Sequence, residues 1–238
     1  SDKIGTEFIG TLEDDKIIYT MLDLEQFIGK KIDWLSEKTF ESVLTYGNDK
    51  TRLPNVFARI CTKNLKIEPI AQYCYDNIGE AVEMRIGFRA NELRRVENML
   101  KYLEKDGFQY TKVKIGKHKN GNNKWKTIKY RKPVYPLVKD IIFKDTIVKY
   151  WKDKPVRFAY MNNCIGCFHR NELLLKYMST KFPKKFAWFI NQEKNSMKNS
   201  INNTWKQNTT YEKIKSHKTQ LQLFDEDFND CDSGYCGL

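Results

Sequence analysis

Ala81-Val82-Glu83-Met84-Arg85-Ile86-Gly87-Phe88 alternates apolar and polar side chains and halts at a glycine. Alternation over this length predicts a buried strand that ends at Gly87. Arg89-Ala90-Asn91 then leads into a charged helix or turn, residues 92–104, whose apolar members are Leu93, Val96, Met99 and Leu100. A strand followed at once by a helix is the repeating unit of layered α/β proteins. Upstream, the spacing predicts a helix over 11–28 stopped by Gly29, a short strand over 31–35, a short helix over 39–46, and a loop that becomes helical across 54–75. Strands and helices therefore alternate through the first 90 residues.

Downstream, residues 112–132 read as a β-hairpin. Val113 and Ile115 lie on one arm, Trp125, Ile128 and Tyr130 on the other, and Asn120-Gly121-Asn122-Asn123 forms the turn. Pro133 and Pro136 end it. Helices are expected over 140–151, 171–182, 184–192 and 211–217, with a polar, Asn-rich loop over 196–210. The expected division is an α/β core over 1–160, with the basic hairpin 111–132 inserted in it, and a helical, cysteine-containing region over 161–238.

The chain has 238 residues, 40% hydrophobic and 13% aromatic, which suffices for a packed core. No run approaches the ~20 apolar residues of a membrane span, and Ser1-Asp2-Lys3-Ile4-Gly5-Thr6-Glu7-Phe8 lacks a signal-peptide pattern. No membrane partner is expected. Six cysteines are too sparse for a disulfide scaffold, so the expected compartment is the cytoplasm. The net charge of +12 is unevenly spread. From Thr111 to Lys139 there are Lys112, Lys114, Lys117, Lys119, Lys124, Lys126, Lys129, Arg131, Lys132 and Lys139, and no acid. This is either a solvated loop or a surface for nucleic-acid phosphates, with Trp125 and Tyr130 available for stacking.

Four cysteines stand in two close pairs: Asn163-Cys164-Ile165-Gly166-Cys167-Phe168-His169 and Asp230-Cys231-Asp232-Ser233-Gly234-Tyr235-Cys236. Each pair can bring two sulfurs to one ion, and soft thiolates suit zinc or an iron–sulfur cluster. A redox dithiol and plain buried cysteines are the other readings of this pattern. His169 is a candidate metal ligand, acid/base group or cap. Arg89, Arg94, Arg95 and Lys66 are candidate anion ligands, because guanidinium forks grip phosphate or sulfate. Glu92 stands among them to orient Arg89 or meet a ribose. A surface helix of mixed charge is the alternative.

Several segments together resemble the phosphoadenosine-phosphosulfate-reductase-like family of the PP-loop, or adenine nucleotide alpha hydrolase, superfamily. Leu53-Pro54-Asn55 followed by Arg59-Ile60-Cys61-Thr62-Lys63-Asn64-Leu65-Lys66-Ile67-Glu68-Pro69 is similar to its C-T-x-x-L-K-x-x-P segment. Ile86-Gly87-Phe88-Arg89-Ala90-Asn91-Glu92-Leu93-Arg94-Arg95 is similar to its I-G-x-R-x-x-E-x-x-R segment. Tyr135-Pro136-Leu137, Trp151 and Asn163–Cys167 match later landmarks, and Ser1-Asp2 through Glu7 resembles the end of its second strand.

The resemblance implies a Rossmann-like parallel sheet with helices on both faces, here incomplete. It implies reductase or sulfurtransferase chemistry on an adenine nucleotide, ATP or a phosphosulfate relative. It also makes Cys61 a fourth-ligand or near-cluster residue, and places Asp2 and Glu7 near the nucleotide. The family's Ser-Gly-Gly-x-x-Ser loop is absent from this sequence. Backbone amides at such a loop cradle phosphate, so the expectation is a further N-terminal segment or a partner chain that supplies it.

Two functions follow as expectations. In the first, an enzyme uses thiolates at Cys61 or Cys236, with His169, for sulfur transfer or sulfonucleotide reduction, and Cys164, Cys167, Cys231 and Cys236 hold zinc or a cluster. In the second, a non-catalytic module binds nucleic acid through Lys117, Lys119, Lys124, Trp125 and Lys126, and the cysteines form a structural metal clip.

Overall fold

The computed structural model describes residues 12–46, 50–159, 162–199 and 204–217. Asp2, Glu7, Cys231 and Cys236 lie outside them. No described helix is long and apolar enough to cross a membrane. The protein is mixed α/β, and its contacts gather the described residues into two compact units. One comprises residues 12–32, 40–61 and 155–217; the other comprises 33–39 and 62–154.

The first unit is mainly helical. Its first helix, Lys16–Ile28, starts where the Asp14 carboxylate accepts from the Lys16 amide at 3.0 Å. It ends at Gly29, whose φ of 63° allows the amides of Gly29 and Lys30 to turn back to Gln26 and Glu25. Asp23 on this helix takes both Nε and a terminal nitrogen of Arg157 at 2.8 Å. Those bonds hold its carboxyl down at about 2.

Three further helices, Glu172–Lys181, Pro183–Asn199 and Tyr211–Ser216, enclose an aromatic core. Asn171 caps the first by accepting from the Leu174 amide at 2.7 Å, and Thr210 caps the last through Lys213 at 3.2 Å. Phe186, Phe189, Trp205 and Tyr211 are all 1% exposed or less, and each contributes roughly 2–3 kcal/mol by burial. The Pro183–Asn199 helix overruns the loop expected from residue 196. Glu193 and Ser196 both face inward on it: Glu193 accepts from the amides of Trp205 at 3.1 Å and Tyr211 at 2.7 Å. Polar side chains with interior partners thus continue a helix that composition alone reads as loop. Thr45–Tyr46 and Lys50–Thr51 add a minimal antiparallel pair.

The chain enters the second unit along a composite helix: Ile60–Thr62, a π-helical turn Lys63–Ile67, then Glu68–Asn77. Pro69 has no amide to donate to the carbonyl four residues earlier, and the wider π turn just before it accommodates that loss. The sheet beyond has three strands in the order Val82–Arg85, Asn123–Val134, Gln109–Lys117. The outer pair with Val82–Arg85 is parallel and the hairpin pair is antiparallel. The described sheet is therefore mixed rather than parallel throughout. Val82-Glu83-Met84-Arg85 alternates half-buried with exposed positions, so one face is covered. Strands of a doubly covered parallel sheet read instead as continuous apolar runs.

Ala71, Cys74, Val113, Ile128 and Tyr130 form the core of this unit. The Gln72 side chain clamps the hairpin from the helix: its oxygen accepts from the Lys114 amide at 2.8 Å and its nitrogen donates to the Lys114 carbonyl at 3.1 Å. The strand expected over 31–35 does not form. Trp34 and Leu35 are exposed there, and no described strand pairs with them.

Candidate functional site

The first unit presents Cys164 and Cys167 on a tight turn. The Cys167 amide donates to the Cys164 carbonyl at 3.1 Å, and the Arg170 amide donates to Cys167 at 3.0 Å. Asn163 enters the turn at a φ of 70°, a left-handed conformation that asparagine tolerates.

Two side chains fix this loop from within. Arg170, 1% exposed, donates to the carbonyls of Asn162 at 2.6 Å, Asn163 at 3.2 Å and Cys164 at 3.2 and 3.3 Å. The Tyr211 hydroxyl donates to the Gly166 carbonyl at 2.9 Å. Gly166 must stay small, because a Cβ there would stand 2.5 Å from Cγ of Phe189. Both thiols are half-buried, and Cys164 and Cys61 pack against the aromatic core of the same unit.

His169 packs against the Phe168 ring with centroids 4.5 Å apart. Burial first, then the charges of Arg59 and Lys206, hold its pKa down at about 4. It is therefore a neutral imidazole near pH 7 that resists protonation, the form in which histidine ligates metals. Arg59 carries a buried Nε and one buried terminal nitrogen that hydrogen-bond to nothing among the described residues. Such orphaned charged donors are costly and mark a place where an anion would be stabilised. Arg59, Lys206 and Arg170 did not stand out as site residues in the sequence. Arg59 lies two positions before Cys61, which was the available signal; Lys206 had none.

No group of three histidine, cysteine or acidic side chains converges on a metal position among the described residues. Cys164 and Cys167 thus supply two sulfurs from one fixed turn, and Cys231 and Cys236 lie outside the described residues.

The anion-ligand candidates fall in the second unit. Glu92 accepts from the Arg89 amide at 2.8 Å, from Arg89 Nε at 3.0 Å and from a terminal nitrogen of Arg95 at 2.5 Å. Burial pushes the Glu92 carboxyl up, but the bonds from both arginines outweigh it and leave the pKa at about 2. Arg95 also lies 4.2 Å over the Phe88 ring, which stacks on Tyr135. The cluster keeps one net positive charge, and Arg95 Nε has no hydrogen-bond partner among the described residues. Arg94 and Lys66 are exposed and outside it, with no bond to it among the described residues. Glu92 thus accepts hydrogen bonds from both Arg89 and Arg95.

The hairpin runs from Gln109–Lys117 to Asn123–Val134, with Gly121 at a φ of 83° in the turn. Lys117, Lys119, Lys124, Trp125 and Lys126 are all exposed. Lys126 pairs with Glu80 at 2.5 Å and lies over Tyr75, so its charge is already partnered.

Comparison with protein-family models, with curated proteins and with solved structures finds no match.

Proposed function

We propose that this protein handles sulfur through the thiols of Cys164 and Cys167, in the manner of the phosphoadenosine-phosphosulfate-reductase-like proteins it resembles, as a sulfurtransferase or sulfonucleotide reductase. The observation that carries the reading is the clamp on the cysteine turn. Arg170 and Tyr211 hold its backbone by five hydrogen-bonding contacts. A buried arginine spent on backbone carbonyls is costly unless the loop's shape matters. Cations beside a thiol stabilise its thiolate, and Arg59 and Lys206 stand beside His169, two residues from Cys167.

Cys164 and Cys167 would hold an iron–sulfur cluster or zinc, with Cys61, His169, Cys231 and Cys236 as the pool of further ligands. A cluster would supply soft, redox-active iron, and zinc would supply a fixed clip. The Arg89–Glu92–Arg95 cluster, with Arg94 and Lys66 nearby in sequence, is the proposed contact for phosphate or sulfate on an adenine nucleotide. The parallel pairing of Val82–Arg85 with Arg131–Val134 is the feature the described sheet shares with a nucleotide-hydrolase core. This sequence has no glycine-rich phosphate loop, so a further N-terminal segment or a partner chain would provide the nucleotide's phosphate cradle.

The test is anaerobic purification followed by assay of iron, acid-labile sulfide and zinc. Iron and sulfide in equal amounts, lost in Cys164→Ser and Cys167→Ser, are expected for the sulfur-handling reading. Zinc alone would recast the cysteines as a structural clip. No bound metal, with unchanged stability in both variants, would overturn the metal assignment.

A further inference from the structure

We propose that the outward face of the hairpin is a docking surface for single-stranded nucleic acid, centred on Trp125 and flanked by Lys112, Lys114 and Lys117, with Lys119 in the turn. The inference stands apart from the thiol reading above and uses none of its residues.

The strand register decides which side chains share this face. Val113, Ile128 and Tyr130 turn to the core, so strand alternation sends Lys112 and Lys114 outward on one strand, and Trp125, Thr127 and Lys129 outward on the other. Lys112 is paired with Thr127, and Lys114 with Trp125. Trp125 is half exposed beside a lysine, with no described aromatic ring stacked on it. Lys112 and Lys114 stand roughly 7 Å apart by the strand rise, comparable to successive phosphates on an extended strand. A bulge between Lys114 and Gly116 follows, and Lys117, paired with Asn123 on this same face, and Lys119 in the turn continue the track, whereas Lys124 alternates with Lys126 to the opposite face.

Partnering separates these lysines from their neighbours. Lys126 is held by Glu80 and Lys129 by Asp106 at 3.0 Å. None of Lys112, Lys114, Lys117 and Lys119 forms an ion pair among the described residues. The base of the same face is different: an open depression of about 580 Å³ is lined by Glu104, Lys105, Asp106, Tyr110 and Thr127. Its acids would repel a polyanion, so the surface is confined to the distal half of the ribbon.

Gln109–Lys117 is an edge strand, and edge lysines deter strand-to-strand aggregation. That role explains Lys112 and Lys114. It does not explain an exposed tryptophan beside them, because an exposed indole works against solubility. A flat aromatic ring among unpaired cations fits a base stacked on the ring with its phosphates on the lysines. A duplex offers no free base face in its interior, which favours single strands. The Gln72 clamp on Lys114 holds the platform fixed before any ligand arrives.

The experiment is fluorescence anisotropy of the full chain with labelled single-stranded DNA and RNA of mixed sequence, over a salt titration. Duplex DNA of the same sequence and anionic lipid vesicles serve as separate arms. Single strands are expected to bind more tightly than duplex or vesicles. The triple variant Lys112→Gln, Lys114→Gln, Lys117→Gln should lower the salt slope by about 2, given roughly 0.7 per phosphate contact on a single strand. Trp125→Ala should weaken binding roughly tenfold with little change of slope. Lys126→Gln should leave affinity near that of the parent. Cys164→Ser should leave it unchanged, so failure of the metal assay and failure here are separate results. Binding equal on duplex or vesicles, or indifferent to Trp125→Ala in a variant whose melting is unchanged, would overturn the proposal.

Discussion

The guanidinium of Arg170 reaches the carbonyl oxygen of Cys164 from inside the protein, through Nε at 3.3 Å and a terminal nitrogen at 3.2 Å. The same side chain takes the carbonyls of Asn162 and Asn163, so one buried cation terminates the backbone of the whole cysteine approach. A lysine has the charge but not the planar fork. Arg170→Lys should therefore destabilise the protein by roughly 2–4 kcal/mol, as expected when charged hydrogen bonds are lost and carbonyls are left unsatisfied. Urea unfolding measures the loss, and the rate of thiol modification at Cys164 and Cys167 should rise in the same variant. An unchanged midpoint and unchanged thiol rate would show that the loop holds its shape without the clamp.

Gly166 supplies a second, steric test of the same turn. A methyl at this position would meet three atoms of the Phe189 ring at 2.5–2.7 Å, and that ring is 1% exposed in the aromatic core. The ring cannot yield by rotating into solvent. Gly166→Ala should cost about 1–3 kcal/mol by overpacking. Phe189→Leu alone should also destabilise, by leaving a cavity. Combined, the two should cost less than the sum of the singles, because the smaller side chain makes room for the methyl. Additive costs in a double-mutant cycle would remove the contact as the cause.

The hairpin was legible because turn and strands agreed: Asn120-Gly121 favours the tight turn, and Val113, Ile128 and Tyr130 mark one buried face. The helix Lys16–Ile28 was legible from its period and its glycine stop. The strand expected over 31–35 failed because alternation is only half of a strand; a partner must also exist, and that lies elsewhere in the chain. Glu83 and Arg85 interrupt Val82 and Met84 with charge, the signature of a sheet covered on one face. The Cys164–Cys167 pair was visible as a motif. Arg59 and Lys206 beside His169 were not, since they come from distant segments and only folding brings their charges near it. Glu193 was hidden for a different reason, because a glutamate in an Asn- and Lys-rich stretch looks solvated until its backbone partners at Trp205 and Tyr211 are known.

Glu92 makes a pH prediction. Its pKa falls from the ordinary 4.5 to about 2, with burial opposed and overcome by bonds from Arg89 and Arg95. A carboxyl whose folded pKa lies below its unfolded one stabilises the fold fully above the unfolded value. That stabilisation is lost as the pH falls from about 4.5 to 2. Glu92→Gln should therefore be less stable than the parent at neutral pH, by roughly 2 kcal/mol. The difference should close as the pH is lowered through that window. Thermal melts of both proteins from neutral to acid pH check it, and a gap that stayed constant would assign the loss to packing rather than charge.

His169 titrates in a different window, which makes the two groups separable. Burial, followed by Arg59 and Lys206, brings its pKa from 6.5 to about 4. The folded protein therefore resists protonating this ring while the unfolded chain accepts the proton. Stability from His169 is complete above about 6.5 and declines as the pH falls toward 4. His169→Gln should flatten the stability profile in that interval and leave the Glu92 region below it intact. The chain has three histidines, so proton NMR can follow each ring directly. The His169 signal should titrate near pH 4 in the parent, and Arg59→Gln should move its midpoint upward by removing a neighbouring positive charge. A midpoint near 6.5, unmoved by Arg59→Gln, would place the ring in solvent and separate it from the charged surroundings of the cysteine turn.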